Sequence, residues 1–401
     1  MRARFLAGLL LLLFWSGPAT AAPRAPLIVI SIDGFRADYL ARGQTPTLAM
    51  LARRGVHAPM HPSFPSLTYP NHYTLVTGLY PDHHGIVENT MRDSAVSSAL
   101  FTMKALSAED PRWWDGAAPL WASAQAQGLV TASAGWPGSE GLIHGRRPDY
   151  EDPWRPERPE GEIAAVALNW LDLPAAWRPA IMFLYFDAVD EAGHAHGPDS
   201  SAVNAAMHRV DAAIGTLVEG LARRHIAANI VVVSDHGMTA TDNAHVETID
   251  DWVRPAAAAL VDQGVLAGFN PLPGHAVEAE RALIGRHGHA RCWRKQDIPA
   301  RLHYGRNPRV PAIVCLADPG WQILTRAALA GRKIEVQGQH GYDPADPDMN
   351  ALFVAAGPAF RHGVALPAFD NVDVYPLLAH VAGVTPMPND GHLSDLAAAL
   401  K

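Results

Sequence analysis

Asp33 in SIDGFR, Thr68 in SLTYPNHY, Asp190 and His194 in DEAGH, the doublet Asp235–His236, and His340 in GQHGYD are the residues of this chain that can do chemistry together. Three aspartates and three histidines, with no thiolate among them, suit zinc or another borderline divalent ion, and six such donors can hold two ions. Thr68 has no organic base beside it in the sequence. Contact with a divalent ion would turn its hydroxyl into a nucleophile, as zinc brings bound water to a pKa of about 7. The combination points to phosphoryl or sulfuryl transfer.

The elements that must position these groups are legible around them. Leu27–Ile32 (LIVISI), Leu129–Ser133, Ile181–Phe186 (IMFLYF), Ile230–Val233 and Ala351–Ala355 are apolar runs of strand length, the pattern of strands covered on both faces. Between them, Thr47–Arg54, Glu162–Leu171, Ser201–Arg224 and Val374–Val381 carry apolar residues at helical spacing. Strands alternating with helices predict an α/β fold, a doubly wound, mainly parallel sheet with helices on both faces. Ligands in such sheets gather beyond the carboxyl ends of the strands. Asp33 follows its run at once, Asp190 follows four residues on, and Asp235 follows after one intervening residue. Acids gathered at one sheet edge repel unless a cation lies among them. Asp190 and His194, four apart, face one ion if their segment is helical, whereas Asp235 and His236 reach one ion together only from a turn. Thr68 stands where a helix should begin, with Pro70 in its first turn, and the start of a helix offers N–H groups to a phosphate oxygen. A plain capping role for Thr68 is the competing reading, and Ser66 is placed to cap instead.

Residues 250–333 break the rhythm: Pro- and Gly-rich, irregular, and holding both cysteines, Cys292 and Cys315. They read as an inserted α+β cap, with the catalytic core made of 22–249 and 334–401. Residues 1–21 read as a cleaved leader, from Arg2 and Arg4 through the apolar Leu9–Phe14 to Ala19-Thr20-Ala21. That apolar run is too short to serve as a stable membrane anchor. The expected location is periplasmic or secreted, where two cysteines 23 apart most simply form one disulfide. A net charge of −8 and the lack of a basic block exclude a nucleic-acid-binding surface.

SIDGFR, LTYPNHYTLVTGLYPDHHGI, DEAGH, SDHGM and HGYD together resemble the nucleotide pyrophosphatase/phosphodiesterase family of the alkaline phosphatase superfamily, from about Leu27 to Val381. The resemblance implies an alkaline phosphatase-like core in a minimal bacterial form, with two Zn2+ per chain. Asp190, His194 and His340 would hold one ion. Asp33, Asp235 and His236 would hold the other, with Thr68 bridging toward a small nucleotide phosphodiester. It also implies that Asn89 binds a non-bridging phosphate oxygen and that Tyr69 and Tyr185 stack on the base. The reaction would be two in-line displacements through a phosphothreonine, releasing a nucleoside monophosphate. Trp114 and Trp121 resemble a pocket-wall segment, with core or wall left open. His83, His84, His196, His245, His287 and His289 are expected to lie outside the ligand set. Two other substrate classes fit the same site: a lysophospholipid or choline-phosphate diester, and a phosphate monoester. No Lys or Arg lies between Arg54 and Arg92 in the nucleophile segment, which favours a diester over a dianionic monoester.

Overall fold

In the computed structural model, which describes residues 24–103 and 106–401, nine strands form one sheet. They are β1 (Leu27–Ile32), β2 (Val56–His61), β3 (Thr131–Ala134), β4 (Tyr150–Asp152), β5 (Ile181–Phe186), β6 (Asn229–Val233), β7 (Ala351–Ala356), β8 (Val364–Ala365) and β9 (Phe369–Asp370). The leader expected at residues 1–21 lies outside the described residues. The sheet order is β8–β2–β7–β6–β1–β5–β3–β4, with β9 paired to β2. Strand β1 is parallel to both β5 and β6, and β3 is parallel to β5 and β4. The sheet is therefore mainly parallel, as the alternating pattern predicts, except that β7 runs against β6 and β2.

The central strands are mostly apolar because alternate residues enter two different cores. In β1, Leu27 and Val29 join one core while Ile28, Ile30 and Ile32 join the other. Strand β5 divides the same way, Ile181 and Phe183 against Met182, Leu184 and Phe186. Six helices matter for the site: α1 (Pro46–Arg54), α2 (Thr68–Thr77), α3 (Glu160–Leu171), α4 (Ala188–His196), α5 (Ser201–Arg223) and α6 (Val374–Ala382). Helices α1, α3 and α5 cover one face, and α2 and α6 the other. Helix α5 starts where the Ser200 side chain accepts the Val203 N–H, and it buries Val203, Val210, Ile214, Leu217 and Leu221 along one stripe. Burial of each large apolar side chain contributes about 1.5–3 kcal/mol, which fixes the helix as a rigid backing for the strands.

A second, antiparallel sheet sits over the α2/α6 face. Its strands, in spatial order, are Ala258–Asp262, Leu266–Pro271, Ile313–Ala317, Ala290–Arg294 and Gly285–His287. Cys292 and Cys315 are register partners on neighbouring strands and are disulfide-bonded. This sheet shares an apolar core with α2 and α6 through residues such as Phe269 and Val314. The buried carboxylate of Asp82 ties it down further, accepting the backbone N–H groups of Gly305, Arg306 and Asn307 at 2.8–3.0 Å. Among the described residues no helix is long and apolar enough to cross a membrane.

Candidate active site

Strand register builds the site. Pairing of Ile32 with Phe186 and of Ser31 with Val233 brings the carboxyl ends of β5, β1 and β6 to one edge. Asp33 is the next residue after β1, Asp190 lies in the first turn of α4, and Asp235 lies just past β6. Gly34 takes φ +65°, and a Cβ there would come within 2.9 Å of Asp190 Oδ1. Only glycine lets the chain turn beneath that carboxylate.

The histidines arrive by three routes. Helical geometry places His194 Nε2 3.3 Å from Asp190 Oδ2. The turn after β6 folds His236 back, so its Nε2 is 3.0 Å from Asp235 Oδ2 and 3.4 Å from Asp33 Oδ1. Residues Gln337–Gln339 pair antiparallel with Thr239–Thr241 and so deliver His340 beside that turn. Its ring stacks on His236 with centroids 3.5 Å apart, and its Nε2 is 3.1 Å from His194 Nε2. All six donors expected from the sequence are thus in one place. Asp33, Asp235 and His236 offer atoms within 4.8 Å of one another, as do Asp190, His236 and His340, so His236 stands between the two sets.

The chemistry of these donors fits divalent metal. Each imidazole donates Nδ1–H to a backbone carbonyl: His194 to Gly338 at 2.8 Å, His236 to Gly237 at 2.9 Å, His340 to Ser66 at 2.9 Å. Carbonyls only accept, so Nε2 is the ring atom left to ligate in each, the usual outer support of a metal-bound histidine. Each carboxylate likewise keeps one oxygen unpartnered: Asp33 Oδ1, Asp190 Oδ1 and Asp235 Oδ2 are buried without a hydrogen bond. Buried polar atoms are otherwise almost always paired. Asp33 shows the resulting conflict, since burial and then the Asp235 and Asp190 charges push its carboxyl well above the usual carboxylate range. For Asp235 burial acts in the same direction, but the imidazoles of His236 and His72 outweigh it and hold the carboxyl well below that range. Burial, and then His236 and His194, keep His340 well below the usual imidazole range, in its ligating form.

Thr68 is the first residue of α2, and its Oγ1 is 3.4 Å from His236 Nε2. Neither it nor Ser66 caps the helix: the N-cap is Leu67, no side chain bonds the cap, and Ser66 Oγ donates to the Tyr342 carbonyl at 3.0 Å. The hydroxyl is therefore turned to the site. Asn89 Oδ1 accepts the Tyr69 N–H at 3.0 Å, which leaves Nδ2 as the donor available to the cavity that Asn89 lines.

That cavity is about 1190 Å³ and opens over Asp33, Thr68, Asp190, His194 and His340. Tyr69 lines it, half-buried, with its hydroxyl donating to the Met103 carbonyl at 3.1 Å. The expectation of a second stacking face on Tyr185 needs correction. Tyr185 borders the cavity but is only 9% exposed, and its hydroxyl is committed to Asp33 Oδ2 at 2.5 Å. The exposed aromatic on the wall is Trp154, 37% exposed and oriented by an Nε1–H bond of 2.7 Å to Asp187 Oδ2. Sequence reading passed over Trp154 and also His72, which lies inside the quoted nucleophile segment; an aromatic in a Pro-rich stretch, PWRPERP, was the available signal for the former. Trp114 is a wall residue and Trp121 a core residue packed edge-on to Phe183. His196 ends α4 exposed, and His83, His84, His245, His287 and His289 are absent from the described lining.

Comparison with known proteins agrees with this geometry. Residues 27–343 match the family model of type I phosphodiesterase/nucleotide pyrophosphatase. An uncharacterized pyrophosphatase/phosphodiesterase of Schizosaccharomyces pombe is 39% identical over 382 residues, covering 92% of this chain and 79% of the relative. Rat ectonucleotide pyrophosphatase/phosphodiesterase family member 3 is 34% identical over 389 residues, and there the match spans 94% of this chain but 44% of the relative. Among solved structures, the inactive variant of murine ectonucleotide pyrophosphatase/phosphodiesterase 5 in complex with AMP superimposes with a TM-score of 0.89 at 34% identity, covering 94% of this chain and all of that one. The murine structure shares the mixed α/β fold; this chain belongs to the type I phosphodiesterase/nucleotide pyrophosphatase family, hydrolases that act on phosphodiesters.

Proposed function

We propose that this protein is a two-zinc enzyme that cleaves nucleotide phosphodiesters or phosphoanhydrides to a nucleoside monophosphate through a phosphothreonine, and that it works outside the cytoplasm, in the periplasm or secreted. The observation that carries the reading is the Thr68 hydroxyl at the start of α2, not used as a cap, beside three carboxylates that each keep a buried oxygen without a hydrogen bond. Asp33, Asp235 and His236 would hold one ion close to Thr68, and Asp190, His194 and His340 the other. Ions bound there supply charge neutralisation of the phosphoryl oxygens and acidify hydroxyl and water.

The residues of the chain then divide the work. Thr68 Oγ attacks phosphorus in line, its bond to phosphorus forms, and the bond to the leaving oxygen breaks. Asn89 Nδ2 donates to a non-bridging oxygen where negative charge grows. Water afterwards cleaves the threonine ester and releases the monophosphate. Tyr69 and Trp154 grip the base between aromatic faces, a hold that tolerates different bases. The AMP bound by the murine relative supports a nucleoside monophosphate as the retained half. Charge favours a diester: among the described residues lining the cavity, Glu88, Glu109, Glu140, Asp187, Glu191 and Asp262 are acids and none is Lys or Arg. A dianionic monoester meets more repulsion there than a monoanionic diester. The disulfide suits an oxidising compartment.

Hydrolysis of a nitrophenyl nucleotide diester and of nitrophenyl phosphate, measured on protein of known zinc content, tests this. The diester should be cleaved at least roughly a hundredfold faster, and Thr68→Ala should lower diester turnover by roughly a thousandfold or more. Full turnover by Thr68→Ala, or activity in protein free of transition metal, would overturn the reading.

A further inference from the structure

A side chain outside the proposed ligand set touches several parts of the machinery at once. His72 lies one turn after Thr68 on α2 and is fully buried. Its Nδ1 is 2.9 Å from the carbonyl oxygen of Thr68 and 3.3 Å from Asp235 Oδ2, and its Nε2 is 2.8 Å from Ser31 Oγ. Both groups facing Nδ1 are acceptors, so that nitrogen carries the hydrogen and Nε2 accepts the Ser31 hydroxyl proton. Ser31 is on β1, two residues before Asp33. The ring is clamped edge-on between Trp136 at 5.2 Å and Tyr185 at 5.1 Å, and Tyr185 in turn holds Asp33. One imidazole thus lies against the peptide of the proposed nucleophile, a carboxylate of the ligand set, and the strand that delivers a second carboxylate.

We propose that His72 is a positioning residue: its Nδ1–H fixes the first turn of α2, and with it the direction of the Thr68 hydroxyl, relative to Asp235. A merely space-filling role does not account for the arrangement. An apolar side chain of similar volume would fill the gap between Trp136 and Tyr185 without the cost of burying two polar nitrogens. What the imidazole adds is a donor on one side and an acceptor on the other, each engaged with a different element of the site. The energy of that link is modest, but the geometry it controls is not: a displacement of about 1 Å between nucleophile and reacting centre can cost roughly a hundredfold in rate.

Two amides separate the roles of the two nitrogens. The Nδ2 of Asn overlays the Nδ1 position, so His72→Asn keeps the donor toward Thr68 and Asp235 and gives up the Ser31 contact. Gln reaches the Nε2 position and has nothing at Nδ1, so His72→Gln does the opposite. Three quantities are read on the full-length protein: zinc affinity by competition with a chromophoric chelator, kcat and KM on a nitrophenyl nucleotide diester, and the thermal midpoint of the metal-free protein. We expect the two variants to lose similar thermal stability. His72→Gln should lose about 10–100-fold in zinc affinity, the range typical of groups that orient metal ligands, with a fall in kcat of at least roughly tenfold and KM within about threefold of the parent. His72→Asn should recover at least roughly tenfold of each loss. Equal losses in both variants, or parental zinc affinity in His72→Gln, would overturn the proposal. If the His72→Gln chain does not fold, Ser31→Ala carries the test, because it leaves the ring in place and frees its far side: zinc affinity weakened by at least about threefold supports the link, and unchanged affinity with unchanged kcat refutes it. The inference rests on the metal-and-threonine reading above, and the failures are distinguishable. A parent protein that binds no zinc sinks that reading, whereas tight binding by the parent with equal losses in the two variants sinks only the role of His72.

Discussion

Acid should weaken this fold through one histidine that takes no part in the chemistry. His84 is fully buried behind α2, and its hydrogen bonds fix its tautomer: Nδ1 accepts the Ile86 N–H at 3.1 Å, while Nε2 faces the Pro70 carbonyl at 3.2 Å and Thr74 Oγ1 at 3.1 Å. Protonation would set a second hydrogen on Nδ1 against the Ile86 N–H. Burial is the main cause that brings its pKa down from 6.5 to about 3, and the Pro70 carbonyl opposes it only in part. The sign follows from proton counting. Between pH 6.5 and 3 the unfolded chain binds a proton that the folded chain refuses, so stability falls as pH falls through that window and is fully present above it. From the two pKa values, the loss at pH 5.0 relative to pH 7.5 is about 2 kcal/mol. Urea unfolding of the parent and of His84→Asn at the two pH values isolates this contribution, because the Asn Oδ1 can still accept the Ile86 N–H. The variant should start less stable by about 1–3 kcal/mol, as core substitutions usually do, but its loss between pH 7.5 and 5.0 should be smaller by about 2 kcal/mol. Equal pH losses in parent and variant would refute the argument from burial and tautomer.

Other consequences are open to direct measurement. Asn89→Ala removes the side-chain amide donor proposed for a non-bridging oxygen, and kcat on a nucleotide diester should fall about 10²–10³-fold; a change below about threefold would dismiss the oxyanion role. Trp154→Ala should raise KM for a nucleotide diester by roughly 5–150-fold, the equivalent of about 1–3 kcal/mol of base stacking, and leave a nitrophenyl diester without a base nearly unaffected. Equal changes on the two substrates would place Trp154 outside the base site. Chelation should lower the thermal midpoint, since at free zinc 100-fold above its dissociation constant each site adds about 2.7 kcal/mol to the folded state; a midpoint indifferent to chelator would contradict the ligand set. Replacing Cys292 and Cys315 together with alanine should cost about 3 kcal/mol by loop entropy for a 23-residue separation, read by urea unfolding with no reductant.

Local pattern carried the reading a long way where the cause of structure is local. Strands β1 and β5 begin and end where their apolar runs do, because a strand buried on both faces admits little else. Strand β2, VHAPMH, escaped notice: its burial alternates, it contains Pro59, and it reads as a loop until β7 pairs with it. The reversed direction of β7 was equally hidden, since ALFVAA is apolar whichever way it runs and only the partners decide. The six donors could be named because each follows a strand run or stands beside glycine, and the turn needed to bring Asp235 and His236 together is present. Tyr185 shows where such reasoning stops. Whether an aromatic at a strand end offers its face to a ligand or its hydroxyl to a neighbouring aspartate depends on a contact across 152 residues. Trp154, 85 residues from Tyr69, belongs to the same wall only once β4 is laid against β3.

The site's internal conflicts have a common direction. Asp33 is driven toward its neutral form by burial and by two neighbouring acids, yet its Oδ2 accepts a 2.5 Å bond from Tyr185, an arrangement that favours the ionised form. Asp190 is pushed up by burial in the same way, while His236 and His72 hold the Asp235 carboxyl well below the usual range against burial. Left to themselves, these groups satisfy neither their charges nor their hydrogen-bonding capacity. Surrounding them is the opposite situation: Ser234 Oγ is bonded to the Phe35 N–H and the His236 carbonyl, Asn71 to Ser63, Pro65 and Asn371, and Asp82 to three backbone amides. The three carboxylate oxygens left without a hydrogen bond at the centre converge where a cation would satisfy them together. On the proposed mechanism Thr68 would need no side-chain base, because bound ions would acidify its hydroxyl. Its helix is tied by Asn71 to the preceding loop at Pro65 and Leu67 and by His72 to Ser31 on β1, so the entropy of aligning the proposed nucleophile would be met when the chain folds.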